Sequence, residues 1–219
     1  RVRGAAHKMH CSLRFLCAIV GSWLLNLTFG TVYCWGNMAP YIVSYMREYG
    51  FAVGYSEMSW AVSITTTLQA ITICIGGKLH PHLGVRGVAA LGCCLLTPGV
   101  YLSSVTIKLG KVAFLSTYAG LFGMGLGLAY MAPMLTLMKW LPTMKGLASG
   151  IVVSAFGAGA CVFNEVQQHW VNPNEFMPRR EVRGYRYFDW ENPAVDWAVL
   201  DNVPSLLRAQ SSLFLAMQC

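Results

Sequence analysis

Five stretches of this chain carry no charged residue: positions 15–46, 58–77, 87–107, 112–138 and 146–164. A helix needs roughly 20 residues, at about 1.5 Å each, to cross a hydrocarbon core of about 30 Å. Even the shortest stretch is close to that length. Lipid leaves such a segment one conformation, because an α-helix satisfies its own backbone N–H and C=O groups where no water can reach them. Only 11% of the 219 residues are charged, against about 25% in an ordinary soluble domain. A soluble helical bundle would also show a polar stripe along most of its helices. The chain therefore reads as an all-α membrane protein.

The charges that remain are sorted by side. Arg1, Arg3, Lys8 and Arg14 precede the first span, Lys78 and Arg86 separate the second from the third, and Lys139 and Lys145 separate the fourth from the fifth. No acid lies among them; Glu48, Glu57, Glu165, Glu175, Glu181, Asp189, Glu191, Asp196 and Asp201 all fall on the other side, with the remaining basic residues. The net charge of +7 is thus a topology signal and not a nucleic-acid surface, and it puts the N-terminus in the cytoplasm.

The expected organisation is a basic cytoplasmic tail at 1–14, five transmembrane helices within 15–169, a long non-cytoplasmic loop at 170–204, and the start of a sixth helix at 205–219. The first apolar run is about twice the length of a signal-peptide core, so it is expected to stay as a spanning helix. It continues to Tyr45 beyond Pro40, which requires tilt or a kink. The chain starts at Arg1 and ends at Cys219 inside an apolar stretch, as expected of a sequence cut at both ends. Between 172 and 204 lie four prolines and the aromatics Tyr185, Tyr187, Phe188, Trp190 and Trp197, which cover the outer mouth or rest at the headgroups.

Cys17, Cys34, Cys74, Cys93, Cys94 and Cys161 sit inside apolar spans and read as small hydrophobes. His7, His10 and Cys11 lack a second ligand pair at a recognised spacing, so no metal or cofactor is expected. No nucleophile has a base at hydrogen-bonding spacing, so an enzyme is not expected either. Asn26-Leu27-Thr28 fits a glycosylation pattern but lies mid-span, out of reach of a transferase.

Polar residues within the spans recur at helical steps. Asn26, Gly30, Tyr33 and Asn37 are expected to share one face of the first span, and Ser59, Ser63, Thr66 and Gln69 one face of the second. Lipid disfavours such faces, so they should look into the bundle or a watery cavity. Gly123 and Gly127 in the fourth span, and Gly146 and Gly150 in the fifth, are expected to let helices pack closely.

Two segments carry a resemblance. Gly77, Leu79, Gly84 and Arg86 match the glycine, leucine and basic positions of the signature loop that joins the second and third spans of the major facilitator superfamily. Pro81 stands where that signature has an acid and His82 where it has a basic residue, so the lock it makes must be weaker or differently built. The second segment runs from Gly125-Leu126-Gly127 through Tyr130-Met131-Ala132-Pro133, Lys139-Trp140-Leu141-Pro142 and Lys145-Gly146-Leu147-Ala148-Ser149-Gly150 to Phe163-Asn164. It is similar to the oxalate/formate antiporter branch and the related monocarboxylate carriers.

The resemblance implies the N-terminal six-helix bundle of that fold, truncated in its sixth helix, with a substrate site between two halves. It also implies alternating-access transport of small carboxylates such as oxalate, formate or pyruvate, with the cationic part of the site in the second half. Binding candidates in this chain are Asn26, Tyr33, Trp35, Gln69 and Tyr130, whose amides, indole and hydroxyls can donate hydrogen bonds without charge. Glu165, near the end of the fifth span, is a candidate proton site or an interfacial acid. Rival readings are a carrier of a sugar, nucleoside or drug, and a membrane sensor or inactive partial product. The 219 residues alone are expected to insert in a membrane without transporting.

Overall fold

The computed structural model describes residues 2–182, 184–188 and 196–218, with side-chain surroundings from residue 13 onward except at 183 and 189–198. The side chains of His7, His10, Cys11, Trp190 and Trp197 lie outside the described residues.

The chain is helical almost throughout. Helix α1 (Val2–Phe29) passes through a 3₁₀ stretch at Gly30–Cys34 into α2 (Trp35–Glu48), and the short α3 (Tyr55–Met58) leads into α4 (Trp60–Thr106). A second rod is made of α5 (Lys111–Phe114), a π-helical stretch Leu115–Leu121, α6 (Phe122–Ala129) and α7 (Met131–Trp140). Then come α8 (Lys145–Val171), the strands β1 (Arg180–Val182) and β2 (Tyr185–Tyr187), and α9 (Asp196–Gln218).

Four segments are long and apolar enough to cross a membrane: Leu13–Glu48, Tyr55–Thr106, Lys111–Trp140 and Lys145–Val171. The second, at 52 residues, would be about 78 Å long if straight, enough for two crossings. It breaks at Gly84, whose φ of 70° and ψ of 171° are not helical. Gly76 before the break lies against Leu128, and Gly92 after it lies against Gly125 and Ala129. Both arms thus return to the same stretch of α6, and all five uncharged stretches are helical over nearly their whole length. The signature segment is helix up to Leu83, with one glycine making the reversal.

The polar loop expected to run to position 204 is shorter than that. Helix α9 already begins at Asp196, and Pro204 lies inside it. The proline removes one backbone donor. The helix persists because Val199, Leu200, Val203, Leu206 and Leu207 bury one stripe in the cluster that holds Tyr41, Ile42 and Tyr45.

The core has three levels. Leu137, Ala148 and Val152 pack at the end bearing Arg14, Lys139 and Lys145, here the basic end. Leu27, Phe29, Leu96, Leu126, Phe163 and Phe214 fill the middle. The largest cluster lies at the opposite, hairpin end. There the first segment, 36 residues or about 54 Å, exceeds a hydrocarbon core of about 30 Å. Its last turns are nonetheless buried, because the hairpin covers them: Tyr41 stacks on Phe188 at 5.3 Å, and the Phe188 N–H donates to Ser44 Oγ at 3.0 Å. The Tyr55 hydroxyl donates to the Arg186 carbonyl at 2.8 Å, Tyr55 stacks on Tyr187 at 5.2 Å, and the Arg47 guanidinium lies 4.3 Å from the Tyr187 ring centre.

Candidate site on the first, fourth and fifth spans

The first span reaches the fifth through two glycines. A Cβ on Gly30 would collide with the Phe156 carbonyl, and one on Gly159 with the Leu27 carbonyl. Only hydrogen at both positions allows this approach. Just beyond it the 3₁₀ stretch turns Tyr33 onto Phe156, edge to face at 5.4 Å and 89°. Tyr130, from the junction of α6 and α7, meets the same ring at 5.9 Å and 86°. Two tyrosines from the first and fourth spans are thus gathered on one phenylalanine of the fifth. Neither hydroxyl bonds any described residue, and Tyr33 is 66% exposed.

The other sequence candidates are dispersed. Asn26 is 1% exposed, and its amide donates to the Ser22 carbonyl one turn back at 3.0 Å. Gly30 is buried as well, so Asn26 and Gly30 do not share an open face with Tyr33. The expected stripe assumed 3.6 residues per turn throughout, and the tighter 3₁₀ turns rotate the residues beyond them. Trp35 is buried against Tyr118 at 5.3 Å and Phe114 at 6.4 Å. Gln69 is half-buried where its backbone faces Gly127, with Ser63 and Thr66 exposed on the preceding turns.

The packing glycines divide. A Cβ on Gly123 would come within 2.7 Å of the Thr65 carbonyl, and one on Gly127 would collide with Thr72 Oγ1, so these two seat the fourth span on the second. Gly146 and Gly150 meet nothing within 4 Å, so the expected packing role is not seen there among the described residues; Gly159 takes it on the fifth span.

Glu165 lies nine residues beyond Phe156, about 13 Å along α8. It is exposed and lines an open groove of about 690 Å³ with His169, Trp170, Asn202 and Ser205. Gly77 and Arg86 are exposed and Leu79 is half-buried around the Gly84 turn.

The sequence reading missed Phe156 as the shared partner of the two tyrosines. It also missed a polar chain at mid-bundle, where Thr97 donates to Gln218 Oε1 at 2.6 Å and Gln218 Nε2 donates to Thr28 Oγ1 at 3.4 Å. Their sequence signal was faint, since single Thr and Gln residues in apolar spans look alike. Among the described residues no group of three or more His, Cys, Asp or Glu is placed to hold a metal.

These helices define a polytopic membrane protein with a neutral, donor-bearing face at mid-span. The chain resembles transporters of the major facilitator type and the monocarboxylate carriers. It is similar to apicoplast pyruvate carrier 1 of Toxoplasma gondii, 28% identical over 91% of this chain and 43% of that protein. It is 25% identical to the uncharacterized MFS-type transporter YhjX of Escherichia coli over 66% of the chain and 34% of that protein. It is 30% identical to human monocarboxylate transporter 12 over 54% of the chain and 22% of that protein. The chain spans less than half the length of each of these relatives. No family model and no solved structure matches it.

Proposed function

We propose that the protein to which this chain belongs is a secondary transporter of small carboxylates of the pyruvate class, working by alternating access. The observation that carries the reading is the pair of unbonded hydroxyls, Tyr33 and Tyr130, held on Phe156 in a neutral mid-span setting. A carboxylate leaving water needs replacement donors, and phenols supply them while letting the anion go again. In this reading a complementary helical bundle supplies cationic groups and closes the site. The basic end faces the cytoplasm, and the Gly77–Arg86 segment belongs to the cytoplasmic gate. Two of the named relatives, a pyruvate carrier and a monocarboxylate transporter, support the substrate class.

A second reading, a neutral solute as cargo, is favoured by one observation: positions 15–46, 112–138 and 146–164 contain no charge. Uptake into vesicles bearing the complete gene product decides between them. Labelled pyruvate, oxalate and formate, each competed with the others and with glucose and uridine, should show saturable uptake of the anions alone. Uptake of glucose or uridine without carboxylate competition sinks the proposal.

A further inference from the structure

We propose that the open groove between α8 and α9 seats a phospholipid whose headgroup carries an ammonium, held by the Glu165 carboxylate and the face of Trp170. The inference concerns the wall of the bundle and not the cargo, so it is independent of the carboxylate reading.

The groove has a volume of about 690 Å³. Glu165, Val166, His169 and Trp170 line it from α8, and Asn202 and Ser205 from α9. Steps of four residues set Glu165 beside His169 and Val166 beside Trp170 on one side of α8. The two walls are tied together, because the Trp170 indole N–H donates to Ser205 Oγ at 3.2 Å and that hydroxyl donates to the Asn202 carbonyl at 2.8 Å. The polar edge of the tryptophan is thus occupied while the ring stays exposed.

Glu165 has no such tie. Its carboxylate makes no hydrogen bond or ion pair with any described residue, and no Lys or Arg lines the groove. A free carboxylate near an exposed indole suits a cation, and an ammonium is drawn to the negative face of an indole within roughly 6 Å of its centre. His169, one turn further along α8, offers a ring N–H to the phosphate that accompanies such an ammonium in a zwitterionic headgroup.

The surface beyond the groove argues for a lipid and against a free ammonium compound. Val162 lies one turn before Val166 on α8, and Leu213 lies eight residues beyond Ser205 on α9, about 12 Å further. Both are exposed on the groove-lining sides of their helices. Both also lie toward mid-bundle, since their neighbours Phe163 and Phe214 fill the middle cluster whereas Val171 belongs to the hairpin-end cluster. A polar seat toward the hairpin end with an apolar strip leading inward matches the order of headgroup and acyl chain. Trp170, next to the end of α8, stands where amphipathic rings collect at a membrane surface.

The test equilibrates the purified complete gene product with equal amounts of dioleoyl phosphatidylcholine and dioleoyl phosphatidylglycerol, which differ in the ammonium. Retained lipid is read by native mass spectrometry. The unaltered protein should retain more phosphatidylcholine. Glu165→Gln and Trp170→Leu should each lower the ratio of the two lipids about two- to fivefold. Glu181→Gln, which alters an exposed acid of the hairpin, should leave it unchanged. Equal retention of the two lipids by the unaltered protein, or an unchanged ratio in Glu165→Gln, overturns the site. Choline chloride in large excess should displace phosphatidylcholine from the unaltered protein and spare phosphatidylglycerol. Failure to do so overturns the site even where a variant accumulates poorly. Displacement by choline at a concentration equal to that of the lipid overturns the lipid as the occupant, because the apolar strip would then add nothing.

Discussion

The edge of Tyr33 rests on the face of Phe156 at 5.4 Å, and this contact fixes the tyrosine ring while leaving it 66% exposed. The ring is steadied at its base, and its hydroxyl bonds no described residue. On the carboxylate proposal, Tyr33→Ala in the complete gene product should weaken apparent substrate affinity about two- to tenfold. Tyr101→Ala, also exposed but on the third span, should leave it unchanged. Concentration dependence of uptake is the measurement; equal effects would make Tyr33 a packing residue.

The fifth span carries its close contact at Gly159, not at Gly150. Gly159→Val should lower the stability of the folded protein by about 1–3 kcal/mol, since the added atoms meet the Leu27 backbone. Gly150→Ala should change it by less than about 0.5 kcal/mol. Thermal unfolding in detergent separates the two.

Tyr55 holds the hairpin through its hydroxyl bond to the Arg186 carbonyl. Tyr55→Phe keeps the ring stack on Tyr187 and removes only that bond. Local opening of residues 180–188 should rise about two- to tenfold, read as faster amide hydrogen exchange there with the helices unaffected.

Topology follows from the charge asymmetry. A cysteine replacing Arg186 should react with an impermeant thiol reagent from the side opposite to a cysteine replacing Lys78. Reaction of both from one side would break the five-crossing reading, because an odd number of spans separates them.

Glu165 is exposed in an open groove beside His169. An acid in that position reaches water without crossing lipid. Glu165→Gln should accordingly leave the pH profile of uptake unchanged, and a flattened profile would make Glu165 a coupling proton site.

The helices were legible in the sequence because long uncharged apolar runs such as 15–46 leave the backbone no partner but itself. Local geometry was less legible. Nothing in Gly30-Thr31-Val32-Tyr33-Cys34 announces a 3₁₀ stretch, and that stretch separates Tyr33 from Asn26. Gly146 and Gly150 look like packing glycines at four-residue steps, yet whether a small residue faces a neighbour or open space depends on the orientation of the whole helix. The hairpin was hidden for a similar reason: Tyr185, Tyr187 and Phe188 stood out as aromatic, but their partners Tyr41, Arg47 and Tyr55 lie more than a hundred positions away. Tyr33 and Tyr130 were readable one by one, and only the fold joined them on Phe156.

The reversal between the second and third spans is made by Gly84 alone. A joint of one residue keeps the ends of the two arms adjacent, and a residue with a Cβ there would have to adopt a φ of +70° that side chains rarely take. The turn therefore depends on glycine at position 84 and has no neighbouring residue to share the change of direction. An epitope tag spliced beside Gly84 should therefore be poorly tolerated, whereas the same insertion in the turn at Gly184, between the strands, should be accepted.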